Sequence, residues 1–184
     1  MIKNYPSEIK GENINLVKLA PTLENAKIVF DIIVANRDEF RPWLEWVDFV
    51  KKPEDELPLL EKDANIGSAS WFIQWQNKIV GRIGFVSLSG SNNHGEVGYW
   101  LDKNANGNGL MTEAFKLLEK NAFGDWGYNR IELKIDPDNK KSLGVAKRMS
   151  FVQEGVMRGE HFIGGIYKDS ILFSKLKSEY KIIS

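Results

Sequence analysis

One segment constrains the fold more than any other: HGEVGYWLDKNANGNGLMTEAFKLLEKNAFGDWGYNRIELKID, residues 94–136. It reads as a strand over HGEVGYWLD, an Asn/Gly-rich turn, an amphipathic helix from roughly Gly109 to Phe123, and a second strand over RIELKID. Two strands of one sheet joined through a helix pair in parallel, because the crossover must carry the chain back to the starting end. The rest of the chain asks for the opposite. ASWFIQWQNKIVGRIGFVSLSG reads as two strands turning at Gln76-Asn77-Lys78, directly ahead of HGEVGYWLD. FVQEGVMRGEHF and IYKDSILFSKL read as a closing hairpin across Gly164-Gly165. Consecutive strands with short turns favour antiparallel pairing. With a first strand in INLVKLA, the order predicts an α/β fold whose mixed, mostly antiparallel sheet has about seven strands and flanking helices. An all-parallel doubly wound sheet does not fit.

Helices are expected in three further places. PTLENAKIVFDIIVANRDEF sets Leu23, Ala26, Phe30, Ile33 and Val34 at helical spacing behind Thr22 as N-cap. The Pro-bounded KKPEDELPLLEKDA gives a short second helix, and another starts after PDN and runs to about Met149. No linker, repeat or low-complexity tract interrupts the 184 residues, so a single domain over 1–184 is expected.

Bulk properties narrow the function. Lys plus Arg and Asp plus Glu both number 25, which gives no electrostatic ground for direct nucleic-acid binding or an anionic membrane partner. Cysteine is absent, which removes disulfides, thiolate nucleophiles and Cys-ligated zinc, and two histidines do not make a His-rich metal site. No metal cofactor is expected. MIKNYPSEIKGENINL lacks the apolar run of a signal peptide and no later stretch has the length of a membrane span, so the expected location is the cytoplasm.

The Asn/Gly turn is the segment with chemistry in it. Met111, Phe115, Leu118 and Ala122, with Ala114 beside them, form the apolar face of the following helix. Gly107-Asn108-Gly109 lead straight into its first turn, where free amides and the macrodipole attract phosphate. Glycines also serve any tight strand-to-helix turn. No Gly-Lys-Ser/Thr follows, so this is not a Walker loop, and Thr112 stands where a Gly-x-Gly-x-x-Gly would place its third glycine. A nucleotide hydrolase is disfavoured accordingly.

GEVGYWLDKNANGNGLMTEAFKLLEKNAF resembles the acetyl-CoA-binding core of the GNAT acetyltransferases, in particular the RimJ/RimL group. There a strand ends in a loop of the form Gln/Arg-x-x-Gly-x-Gly/Ala whose amides hold the CoA pyrophosphate. The six positions here are Asn106, Gly107, Asn108, Gly109, Leu110 and Met111, with Asn106 in place of Arg/Gln and Met111 in place of the small residue. NRDEFRPWLEW resembles the substrate-side segment of the same proteins. DPDNKKSLGVAKRMSFVQEGVMR resembles their Asn-x-x-Ser…Gly-Phe-x-x-Glu-Gly-x-x-Arg run, through Asn139, Ser142, Phe151, Glu154, Gly155 and Arg158, with Ser150 where glycine is usual. The hairpin bearing Asp169 also matches. The resemblance extends from about Ile14 to Leu176.

The resemblance implies that the strand through Glu96–Leu101 splays from the one through Arg130–Asp136, with pantetheine in the gap and a backbone N–H near Trp100 or Leu101 serving the oxyanion. It assigns Asn139 to the CoA arm, Ser142 to the departing thiol, and a base to the hairpin, where Glu160 sits. Glu96, which strict alternation sets on one face with Gly98 and Trp100, is placed to orient or deprotonate the amine or to stand solvated at the strand's start. Catalytic candidates are therefore Glu96, Ser142 and Glu160. Trp43, Trp46, Trp71 and Trp75 are candidates for an acceptor cleft, with core packing the commoner use of any one tryptophan; Lys140, Lys141 and Lys147 either reach CoA phosphates or stand as solvated lysines on a helix. The implied activity is direct transfer from acetyl-CoA to a primary amine, most of all a protein or peptide N-terminal α-amine such as a ribosomal protein's, by a monomer or homo-oligomer. The alternatives are a catalytically silent acyl-CoA-binding module and an acetyltransferase for small-molecule amines.

Overall fold

The computed structural model describes residues 4–65 and 67–181. Its strands are β1 (Glu8–Lys10), β2 (Ile14–Val17), β3 (Ser70–Trp75), β4 (Lys78–Ser89), β5 (His94–Leu101), β6 (Arg130–Ile135), β7 (Val152–Ile163) and β8 (Ile166–Leu176). Its helices are α1 (Leu23–Phe40), α2 (Leu57–Ala64), α3 (Leu110–Phe123) and α4 (Lys140–Arg148). The strands lie in the order β1-β2-β3-β4-β5-β6-β8-β7. β5 and β6 run parallel across α3, while β1–β2, β2–β3, β3–β4, β6–β8 and β7–β8 run antiparallel. The mixed sheet is as expected, with eight strands rather than seven. The extra one is β1, whose EIK buries Ile9 alone and is made a strand by pairing with β2.

The described residues of 1–84 and 99–110 pack as one compact unit, and those of 85–98 and 111–184 as another. The first has a core of Ala26, Val29, Ile33, Phe40, Val47, Val50, Leu60, Phe72 and Trp100. The Thr22 hydroxyl accepts from the Asn25 amide at 3.2 Å, the expected N-cap of α1. The buried stripe of that helix differs from the expected one. It runs Ala26, Val29, Ile33, Asn36, Phe40, leaving Leu23 and Val34 in solvent. The hydrophobic pattern misses Asn36 because it is polar, yet it is buried for a polar reason. Its Oδ1 accepts from the Lys103 amide at 2.8 Å, and its Nδ2 donates to Ile32 O and to Asp102 Oδ1. Asp102 Oδ1 also accepts from the Asn104 amide, so α1 fastens the turn between β5 and the glycine loop.

In the second unit Met111, Ala114, Phe115, Leu118 and Ala122 are all buried, as the helical period predicts. β6 alternates Ile131, Leu133 and Ile135 inward with Arg130, Glu132 and Lys134 on the other face.

Candidate active site

The parallel β5–β6 register runs His94↔Arg130, Gly95↔Ile131, Glu96↔Glu132 and stops there, with both strands continuing. Next along β6 is Lys134. Its Nζ lies 3.2 Å from Glu96 Oε2 and donates to Glu160 Oε1 at 2.7 Å. The two glutamates identified separately from the sequence thus meet on one lysine. Ser170 donates its hydroxyl proton to Glu160 Oε2 at 3.0 Å, and His161 Nδ1 stands 3.1 Å from the same hydroxyl oxygen. Burial pushes the Glu160 carboxyl up, but the bonds from Lys134 and Ser170 outweigh it and hold the group below the usual carboxylate range. The bond to Glu160, helped by the charge of Glu96, keeps the Lys134 ammonium above its ordinary value. Two carboxylates and one ammonium leave one negative charge over, in a cluster only about a quarter exposed: 24% for Glu96, 28% for Lys134 and 21% for Glu160.

Farther along the same face Arg130 bonds Glu132 and Glu154, and Ser174 donates to Glu154. Glu154 and Arg158 belong to the family-like run of β7. Asp169 accepts from the Gly159 amide at 2.8 Å, where Gly159 takes φ +60° and the β7–β8 register shifts.

The glycine loop is built from backbone. Gly107 and Gly109 have φ +85° and +74°, and a Cβ at either would meet nothing within 4 Å. The space is open, but the φ values favour glycine. The asparagines fold the turn onto itself: Asn106 Nδ2 donates to Lys103 O, and Asn108 Nδ2 to Ala105 O and Asn106 O. Asn106 therefore turns back rather than forward as a long Arg would. Leu110 and Met111 open α3, where the first amides have no intrahelical acceptor.

At α4, Asn139 Oδ1 accepts from the Ser142 amide at 3.1 Å, so Asn139 is the helix N-cap and keeps only its Nδ2 for other use. The Ser142 hydroxyl is half-buried and has no hydrogen-bond partner among the described residues. Lys140 donates to Pro137 O, a bond within its own turn.

Of the four tryptophans, Trp71 takes the core alternative: it is fully buried, edge-on to Tyr5, with its indole N–H donated to Pro6 O. Trp100 is buried as well, its ring 5.7 Å from that of Phe40. Trp43, Trp46 and Trp75 are half-buried. Lys134, Ser170 and His161 are the residues sequence reasoning misses. The signal for Lys134 is the charged alternation in RIELKID, which reads equally as a solvated strand face; His161 and Ser170 have none.

Among the described residues no group of three or more His, Asp or Glu is placed to hold a metal ion, and no helix is long and apolar enough to cross a membrane.

Residues 16–152 match the acetyltransferase (GNAT) domain. The ribosomal-protein-serine acetyltransferase of Escherichia coli is 26% identical over 87% of this chain and 96% of its own length. The uncharacterized N-acetyltransferase p20 of Bacillus licheniformis is 31% identical over 71% of this chain and 75% of its own. The microcin C7 self-immunity acetyltransferase MccE, solved with acetyl-CoA and AMP, superposes with a TM-score of 0.85 at 31% identity, covering 94% of this chain and 97% of that one. A match of this extent, on a sheet with this strand order, places the chain in the GNAT acetyltransferase family, on the side of its RimJ/RimL group.

Proposed function

We propose that this enzyme transfers the acetyl group of acetyl-CoA directly to the α-amine of a protein or peptide in the cytoplasm, with ribosomal proteins among the acceptors. The observation that carries the reading is the Glu96–Lys134–Glu160 cluster. Its surplus negative charge suits one ammonium, which is what a polypeptide N-terminus presents. The glycine loop supports the cosubstrate: open space over Gly107 and Gly109 lets a diphosphate approach the amides of Leu110 and Met111.

The chemistry asks little of a base. An α-amine with pKa about 7.8 is roughly a quarter neutral at about pH 7.4, whereas a lysine amine near 10.4 is about 0.1% neutral. Held carboxylates such as Glu96 and Glu160 orient such an amine and take its proton through water. The amine lone pair then attacks the thioester carbonyl carbon, a backbone N–H at Trp100 or Leu101 holds the oxyanion, and the C–S bond breaks. The leaving sulfur takes its proton from Ser142, whose hydroxyl is not spent on another group, and the N–H proton shed by the newly acylated nitrogen returns to the Ser142 oxygen through water, so that amide and thiol both leave neutral.

The test is a competition at fixed acetyl-CoA between a free-N-terminus peptide and its N-blocked, lysine-bearing counterpart. Preference for the free terminus is expected, and faster acetylation of the blocked peptide overturns the reading. A small-molecule amine is the second reading, favoured by the 31% identity to MccE, whose structure holds AMP. A panel of small-molecule amines in the same competition distinguishes it. Absence of thiol release with every amine would identify a silent acyl-CoA-binding module.

A further inference from the structure

We infer that His161 is a positioning residue for the acceptor amine, setting through Ser170 and Glu160 whether the Glu96–Lys134–Glu160 cluster carries its surplus negative charge. The inference rests on the reading of that cluster as the amine's place. Ser170 has one hydroxyl proton and gives it to Glu160 Oε2. Its oxygen therefore faces His161 Nδ1 as an acceptor, and Nδ1 must carry a proton in both charge states of the ring. Nε2 is left to gain and lose the second proton, and it has no hydrogen-bond partner among the described residues. The ring is 30% exposed, open enough for that exchange.

Glu160 on β7 lies 4.0 Å from His161 Nδ1 and is bonded to Lys134 of β6, which also holds Glu96 of β5. Lys168 on β8 stands opposite His161 in the register, and its ammonium is taken by Asp136 Oδ2 at 3.2 Å. With His161 neutral the cluster is one negative charge in excess. With His161 protonated it is balanced, and its pull on an incoming ammonium is gone.

Two measurements test this. The first needs no substrate: long-range 1H–15N spectra of the imidazoles, with a His94→Gln variant to assign the second ring. An Nδ1–H tautomer for neutral His161, moving towards Nε2–H in Ser170→Ala, is expected. An Nε2–H tautomer in the unaltered protein overturns the proposal, whatever amine the enzyme acetylates. The second uses His161→Asn, which keeps an N–H towards Ser170 and does not titrate. The wild-type to variant ratio of kcat/KM for one amine should fall roughly tenfold from pH 8 to pH 5.5, what a unit charge does at about 6 Å in a half-screened site. The amine's own ionisation is common to both proteins and cancels. KM for acetyl-CoA should not move. A ratio constant with pH overturns the proposal; if no amine is turned over at all, the function reading fails and the tautomer still decides this one.

Discussion

Lys134 and Lys175 stand on adjacent strands, β6 and β8, and each holds a glutamate, yet the two are built for different ends. Lys175 donates to Glu119 Oε2 at 2.9 Å and to Met149 O at 2.8 Å, with its ammonium over the rings of Phe151 and Tyr180. The pair is 10% and 2% exposed, one charge for one charge. Lys134 serves two carboxylates, and water reaches all three groups. A closed, balanced pair has nothing to offer a ligand; an open cluster with charge left over does. The difference separates a pair that serves the fold from a cluster proposed to serve the amine.

The largest effect belongs to the closed pair. Lys175→Met leaves the Glu119 carboxylate buried without its counter-charge, and burial already pushes that group upward. Removing one partner of a buried pair costs about 3–5 kcal/mol. Urea unfolding should show that loss, with Lys175→Met/Glu119→Leu recovering most of it. A loss below about 1 kcal/mol would place the pair with ordinary surface bridges.

Glu56 is a third case, a buried acid with no dedicated cation. Its Oε2 has no hydrogen-bond partner among the described residues, and Arg82, whose charge favours the ionised form, spends two bonds on Asp63 at 2.7 and 2.9 Å. Burial pushes its carboxyl from the ordinary 4.5 to about 7, against the pull of Arg82 and with help from Asp55 and Asp63. The folded state then binds the proton more tightly than the unfolded one. Stability therefore falls as pH rises from 4.5 to about 7, and the full penalty holds above. At 1.36 kcal/mol per unit this is about 3 kcal/mol. Glu56→Gln should be stabilising at pH 8 by an amount of that order and neutral at pH 4.5. Equal effects at both pH values would mean that Glu56 finds its counter-charge elsewhere.

The open cluster should answer in rate rather than stability. Lys134→Met removes a part-exposed cation, worth no more than about 1 kcal/mol to folding. It also frees two like charges to repel and reorients both carboxylates, for which a ten- to hundredfold loss in kcat/KM for the amine is expected. Steady-state kinetics beside a melting curve reads both. A stability loss as large as that of Lys175→Met would erase the distinction between the two lysines.

These contrasts mark what a chain shows before it folds. Period carries α3, since Met111, Phe115 and Leu118 recur at helical spacing, and it carries the alternation of β6. It is silent on β1, where three residues are too few to alternate. It also misleads on α1, where buried Asn36 reads as solvent-facing. The acids of the site are legible singly, because Glu96 falls on a strand and Glu160 in a hairpin. The lysine that joins them is not, because it meets Glu160 across a separation of 26 residues that only the β6-β8-β7 order closes.

The smallest effect tests whether the closed pair's surroundings are purely structural. α4 ends in a Schellman motif: Phe151 N–H donates to Ala146 O at 3.0 Å and Ser150 N–H to Lys147 O at 3.1 Å, with Ser150 at φ +58°. Glycine is the usual residue at that left-handed position, and a side chain there costs about 1–2 kcal/mol of backbone strain. Part of that is returned because serine restricts the unfolded chain more than glycine does. Ser150→Gly should therefore raise stability by roughly 0.5–1 kcal/mol. Ser150 follows Met149, whose carbonyl accepts from Lys175, so the gain falls on the closed side of the molecule. Thermal unfolding should register it, while kcat and both KM values stay within error. A change in amine KM would mean that the end of α4 communicates with the Lys134 cluster, and the two lysines could no longer be treated as separate devices.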